Sequence, residues 1–143
     1  MVIIVMGPAG AGKSTIARAL AADLGWMFID GDDRRPDLLR ELHGIMARVM
    51  DRRDHLVLAC AALTGEERSL LQGDLRPVRF VYLKAPRAEL EARLSRRAGG
   101  GADTAALHAQ LLVLEDPGDQ AVVVDATKAP DVIVPTIRRE LGF

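Results

Sequence analysis

Short apolar runs alternate with helical patterns along the whole chain. Val2 to Met6 is wholly apolar, the sign of a strand buried on both faces. From Lys13 to Leu24 the residues Ile16, Ala17, Leu20, Ala21 and Leu24 recur at helical spacing, and Gly25 suits a helix stop. Trp26 to Ile29 reads as a second strand, followed by the acidic turn Asp30-Gly31-Asp32-Asp33. Leu38, Leu42, Ile45 and Val49 form a stripe at i, i+4, i+7 and i+11, which predicts a helix from Pro36 to Arg53. Leu56 to Ala61 is a third strand, and Thr64-Gly65-Glu66-Glu67 is a capping box opening a short helix. Val78 to Leu83 is a fourth strand; after Pro86 a helix runs from Arg87 to Arg97 with Leu90, Leu94 and Ala98 inward. Gly99-Gly100-Gly101 reads as a hinge or loose loop, because glycine has the largest conformational freedom. Asp103 then caps a helix to Leu114, Ala121 to Val124 is a fifth strand, and Asp131 to Leu141 is a last helix bent at Pro135. Such alternation predicts an α/β fold whose parallel sheet is covered on both faces.

Composition narrows the function classes. At 143 residues the chain fits one domain, spanning 1–143, with enough core to need no disulfide or metal staple. A formal net charge of -1 gives no sequence-wide positive field for nucleic acid or an anionic membrane, and 3% aromatic residues leave no base-stacking platforms. Arginine outnumbers lysine sixteen to three. Guanidinium suits phosphate and carboxylate recognition, although a genomic composition bias gives the same excess and is the preferred reading. The lone Cys60 sits in the apolar run Leu56 to Leu63 and reads as a buried structural thiol. His43, His55 and His108 are scattered without metal-ligand spacing. Val2-Ile3-Ile4-Val5 has no basic segment before it, and no apolar stretch reaches the roughly 18 residues of a membrane span. A cytoplasmic protein is expected.

The strongest chemical signal lies between the first strand and the first helix. Gly7-Pro8-Ala9-Gly10-Ala11-Gly12-Lys13-Ser14 fits the P-loop pattern GxxxxGK[ST] at every fixed position. The glycines let backbone N–H groups converge on phosphate oxygens, and the positive end of the following helix adds to that field. Lys13 can reach the β- and γ-phosphates, and the Ser14 hydroxyl can ligate magnesium. Gly7, Ala9, Gly10, Ala11, Gly12, Lys13, Ser14 and Thr15 are therefore candidate ATP-binding residues. A buried strand runs in and an amphipathic helix runs out, which makes a chance match in a glycine-rich turn the weaker reading.

Two further segments complete a candidate site. Asp30, Asp32 and Asp33 lie at the carboxyl end of the second strand, where open α/β sheets bind their ligands. Phosphoryl transfer needs Mg2+ held in place and an acceptor hydroxyl positioned for attack, and two carboxylates with different partners can do both. A merely solvated turn is the bland alternative. Arg93, Arg96 and Arg97 end a helix directly before the glycine run. Cations there suit the helix dipole, but a lid over about 95–112 could also swing them over the phosphates.

Together, Met6 to Leu20, Gly25 to Asp33, Leu56 to Leu63, Val78 to Leu83 and Leu90 to Arg97 resemble gluconokinase, a small P-loop kinase of the shikimate-kinase-like group. The resemblance implies a P-loop NTPase three-layer α/β/α sandwich, with a five-stranded parallel sheet of order 2-3-1-4-5 and a helical lid. It implies transfer of the γ-phosphate of ATP to the 6-hydroxyl of gluconate. By position, Lys13 and Ser14 take the phosphate and magnesium roles, Asp30 supports magnesium, Asp32 holds or deprotonates the acceptor hydroxyl, and Arg96 matches a lid arginine.

The acceptor half departs from that family. Arg34-Arg35-Pro36 stands where a histidine usually precedes the proline, and Ala62-Leu63-Thr64-Gly65-Glu66 replaces a segment with a Lys-Arg pair. Gly99-Gly100-Gly101 replaces a bulky histidine-aromatic stretch, and the acceptor-binding segment, about 34–54, is short. A sugar-acid carboxylate would need a new cation, for which Arg35, Arg48 or Arg52 could serve. Expected partners are thus ATP and a small hydroxylated acceptor, acidic if gluconate is its type, in a monomer or homodimer that binds neither nucleic acid nor membrane. The alternatives are a kinase of another hydroxylated small molecule and an ATP-binding protein without an acceptor site. A nucleic-acid-linked ATPase is the weakest.

Overall fold

The computed structural model describes residues 1–31, 35–97 and 100–143, with the side chains of 100–103 left out. Five strands form one parallel sheet: β1 (Val2–Met6), β2 (Met27–Asp30), β3 (Leu56–Ala59), β4 (Val78–Lys84) and β5 (Ala121–Asp125), in the order β2-β3-β1-β4-β5. The expected order 2-3-1-4-5 is thus the observed one. Strand β1 sits at the centre, which explains why all five of its residues are apolar and buried.

Alternate strand residues feed two cores, one on each face. Ile3 and Val5 of β1, Val57 and Ala59 of β3, and Val81 and Leu83 of β4 face one side. There they meet α1 (Lys13–Leu24), α4 (Arg87–Ser95), α5 (Gly100–Val113) and α6 (Pro130–Leu141). Val2, Ile4, Leu56, Leu58, Phe80 and Tyr82 face the other side, covered by α2 (Pro36–Asp51) and α3 (Gly65–Gln72). The result is the three-layer sandwich expected from the alternation of elements.

Local chemistry sets the element ends. Gly25 closes α1 in the left-handed region at φ 71°, its N–H returning to Ala21 and Ala22. At the start of α3, Thr64 Oγ1 accepts the Glu67 N–H at 3.1 Å while Glu67 Oε1 accepts the Thr64 N–H at 3.3 Å, so the capping box forms as predicted.

Two helices differ from expectation. In α2 the fully covered residues are Leu39, Met46 and Val49, whereas Leu38, Leu42 and Ile45 are only half-buried. The helix is rotated, and Leu38, Leu42 and Ile45 of its predicted stripe line a cavity beside Gly31. Helix α5 begins at Gly100, so Asp103 is not its N-cap and two glycines of the run are helical. Leu107, fully buried against the α1–α4–α6 core, anchors it. Burying that side chain is worth about 2 kcal/mol, comparable to the cost of about 1 kcal/mol for each helical glycine. Residues 98 and 99, where the hinge was expected to begin, lie outside the described residues.

Candidate active site

The carboxyl ends of the strands converge on the turn between β1 and α1. Gly7 leaves the sheet with its N–H donating to Ala61 O at 3.3 Å, and a Cβ there would stand 3.0 Å from Leu83 O. Gly10 adopts φ 85°, and its Cβ would stand 3.0 Å from Leu90 O. Both positions combine close backbone approach with a φ that favours glycine. Gly12 sits at the N-cap of α1 with φ 92° and makes no side-chain cap, so the helix's first N–H groups are presented to the cavity before them.

That cavity, of about 280 Å³, is lined by Ala9, Gly10, Gly12, Lys13, Ser14 and Thr15 on the loop side. Leu94 of α4, Arg97 just beyond that helix, and Ala106 and Gln110 of α5 close it from the other side. Lys13 is 6% exposed and its Nζ donates to Pro8 O at 3.1 Å, which folds the ammonium back over the loop. The chemistry that such a site fits is that of a polyanion: oriented backbone donors, a helix N-terminus and a buried cation within one loop.

A second cavity, of about 270 Å³, adjoins the first and shares Gly10, Gly12, Thr15 and Arg97 with it. Its far wall is Ile16, Arg93, Ala126, Lys128, Pro130 and Ile133. The wall joins apolar surface to cationic groups, as a ring system carrying a phosphate chain would require. Just before Ala126, at the end of β5, Asp125 is held below the usual carboxylate range because the Thr127 side chain and backbone N–H both donate to it.

On the opposite side, β2 ends at Asp30, and the Ser14 hydroxyl donates to Asp30 Oδ2 at 2.7 Å. Neighbouring hydroxyl and carboxylate oxygens are hard donors of the kind that small divalent cations take. Among the described residues no group of three His, Cys, Asp or Glu side chains could hold a metal alone. A cation bound here would complete its shell with phosphate oxygens and water. Gly31 follows Asp30, its N–H donating to Ala59 O at 2.8 Å.

Arg93 braces the loop. It donates to Gly10 O at 3.2 Å, to Ala11 O at 3.4 Å, to Ala126 O, and to Glu89 at 3.2 Å. Arg96 is exposed at the end of α4 and is not among the residues lining the phosphate cavity; its neighbour Arg97 is. Arg35 is exposed at the N-cap position of α2, where its carbonyl accepts the Leu39 N–H. Asp32 lies outside the described residues, as do Asp33 and Arg34.

Sequence reasoning named Arg97 only as part of the arginine segment, and it passed over Gln110, Arg68 and the β5–α6 loop. Arg68 is 3% exposed on α3, its Nη1 donating to Ala62 O and its Nε to Gln120 Oε1, both at 2.9 Å. Burial pulls its guanidinium pKa down, while Glu115, Glu67 and Asp116 push it back up. Gln110 left one signal: it interrupts the apolar stripe Leu107, Leu111, Leu114 at i+3, where a helix facing the core should carry no polar side chain. The histidines serve structure: His43 binds Leu71 O at 2.8 Å, His55 stacks on Trp26, and His108 meets Arg87.

A family model described as an AAA domain matches residues 2–117. The gluconokinase of Gluconobacter oxydans (strain 621H) is 35% identical over 159 aligned positions, which cover 96% of this chain and 89% of that one. Those positions hold about 137 of the 143 residues here, so about 22 residues of that relative stand opposite gaps. Among solved structures, an unliganded sugar kinase from Janibacter sp. HTCC2649 superposes with a TM-score of 0.85 at 26% identity, over 99% of this chain and 94% of that one. A gluconokinase from Sinorhizobium meliloti 1021 does so with a TM-score of 0.73 at 28% identity, over 99% and 95%.

Proposed function

The chain belongs to the gluconokinase family of small P-loop kinases, and from that membership we propose that it transfers the γ-phosphate of ATP to the 6-hydroxyl of gluconate. The observation that carries the reading is the bond from Ser14 to Asp30. It joins the phosphate loop to the carboxyl end of β2, so donor and acceptor chemistry meet at one point.

In this reading the β- and γ-phosphates lie along the loop from Gly7 to Thr15, and Lys13 leaves Pro8 to neutralise them. The nucleoside occupies the cavity walled by Arg93, Lys128 and Pro130. Ser14 and Asp30 hold Mg2+, which would screen the phosphate charge and lower the electrostatic barrier to attack. Asp32 accepts the proton of the acceptor hydroxyl, Arg96 stabilises transferred charge, and Arg35 supplies the cation for the sugar-acid carboxylate. Arg97 shares the role given to Arg96, since it lines the phosphate cavity. A cytoplasmic setting suits this chemistry and the reduced thiol of Cys60. No described helix is long and apolar enough to cross a membrane.

One observation favours a second reading, in which the acceptor is another hydroxylated molecule. The cavity beside Gly31 is lined by Leu38, Glu41, Leu42 and Ile45, which bring a carboxylate and three apolar side chains. The test is ADP release with Mg2+-ATP and millimolar gluconate, beside a panel of neutral polyols and sugar acids. Gluconate-stimulated release that vanishes in Lys13→Ala supports the first reading. Stimulation by another acceptor alone supports the second. ATP binding with no stimulation by any acceptor leaves the protein a nucleotide binder.

A further inference from the structure

The phosphate cavity holds one polar side chain that neither the loop nor the basic helix end supplies. Gln110, on α5, accepts the backbone N–H of Ala9 at 2.7 Å across 101 residues of sequence. The partner is an N–H donor, so it must meet the amide oxygen, and the orientation of the Gln110 amide is settled by chemistry. The oxygen is committed to the loop. What Gln110 can offer a ligand is the pair of N–H donors on Nε2, on the same amide and at the same cavity wall.

The position along the cavity says which phosphate it would meet. The phosphate cavity and its neighbour share Gly10, Gly12, Thr15 and Arg97. Ala9, Lys13, Ser14 and Gln110 line only the first, at the end away from Lys128 and Pro130. That end is also where Ser14 reaches Asp30. A nucleotide with its base in the second cavity therefore brings its last phosphate to Gln110.

Gln110 is also held still. Leu107, one turn before it, is fully buried. Five residues after it, Glu115 donates its N–H to Leu63 O at 2.8 Å and accepts the Gly65 N–H on Oε1 at 3.2 Å. The second half of α5 is thus packed into the core, and the chain just after it is tied to the loop after β3.

We propose that Gln110 is a γ-phosphate ligand, whose oxygen fixes the Ala9 N–H while its Nε2 donates to the terminal phosphate. This rests on the kinase reading above and adds to it a residue that separates a triphosphate from a diphosphate.

Titration calorimetry with Mg2+ and either a non-hydrolysable ATP analogue or ADP tests it, on the whole chain and on Gln110→Glu and Gln110→Met. Glutamate keeps an acceptor for Ala9, removes the donor and sets a negative charge against the phosphate. Loss of a hydrogen bond to a charged group predicts that analogue affinity falls about tenfold or more in both variants, while ADP affinity stays within about threefold. The melting temperature of Gln110→Glu without nucleotide should match that of the unaltered chain. Unchanged analogue affinity in Gln110→Glu overturns the proposal, since the amide then only supports Ala9. Equal losses for analogue and ADP overturn it too, since the contact is then not to the γ-phosphate. If the unaltered folded chain binds no analogue, the kinase reading falls with it; if it binds and only Lys13→Ala abolishes binding, this proposal alone falls.

Discussion

Gly10 and Gly12 carry similar dihedrals, φ 85° and φ 92°, yet their surroundings differ. A Cβ at Gly10 would meet Leu90 O at 3.0 Å and Leu94 Cγ at 3.2 Å, whereas at Gly12 its nearest neighbour is Ile16 Cγ1 at 4.0 Å. Gly12→Ala should cost only the left-handed strain, about 1–2 kcal/mol. Gly10→Ala adds a clash with backbone that cannot move without shifting α4, so about 3 kcal/mol or more is expected, with loss of ATP binding. Urea denaturation of the two variants checks the order. Arg68 makes a second case. Arg68→Ala should cost about 2–4 kcal/mol, because Ala62 O and Gln120 Oε1 lose their donor and three carboxylates lose their nearby cation. A loss below about 1 kcal/mol would show that water replaces the guanidinium freely. These three residues also mark what could be read in advance. The glycines were legible because the loop's chemistry is local, set by eight consecutive residues. Arg68 was not, because its partners lie 6 and 52 positions away and its burial depends on how α3 docks.

At the scale of elements, patterning named the five strands and six α-helices and the ends of β1 and α1, and failed on the rotation of α2 and the start of α5. The stripe Leu38, Leu42, Ile45, Val49 has the right period, but Leu39 and Met46 offer a competing face one position on, and with Val49 they are the α2 residues buried in the core against the sheet. The start of α5 was missed because three glycines favour a loop locally, and the anchoring of Leu107 is a tertiary effect. The capping box needed no tertiary knowledge. Thr64→Ala should cost α3 about 1 kcal/mol, read as a lower melting temperature, with Glu67→Gln costing less because its amide oxygen can still accept the Thr64 N–H. The turn after β5 gives a pH prediction. Hydrogen bonds from Thr127 depress the Asp125 pKa in the folded state. Their stabilisation is therefore present above the ordinary carboxylate range and fades as pH falls through the depressed value. Asp125→Asn should lower the melting temperature at neutral pH and flatten its further drop below about pH 4, since the amide lacks the charge whose stabilisation the carboxylate loses there.

At the scale of the molecule, the sheet order divides the labour. β4 and β5 stand on one side of β1, where α4, α5, α6 and the loop after β5 join the phosphate loop and α1 in walling the nucleotide cavities, while β2 and β3 stand on the other. The nucleotide side was legible because its loop is a local motif. The acceptor side was not, because its walls come from the packing of α2 against the end of β2. Leu42 tests the division. Its methyl carbons lie 2.8 and 2.9 Å from where a Cβ on Gly31 would stand, so it packs directly on the backbone after Asp30. Leu42→Ala removes half-buried methyls and enlarges the cavity of about 170 Å³ beside Gly31. A cost of about 1–2 kcal/mol is expected, below that of a fully buried leucine. ATP affinity should stay within about twofold, since α2 is absent from the walls of both nucleotide cavities. The KM of the acceptor should move several-fold in the same variant. Should ATP affinity fall in step with it, the two sides are coupled through the Ser14–Asp30 bond more tightly than their separate walls imply, and Asp30→Ala, which removes the acceptor for Ser14, should then relieve that coupling, whereas Asp30→Asn, which keeps an acceptor, should not.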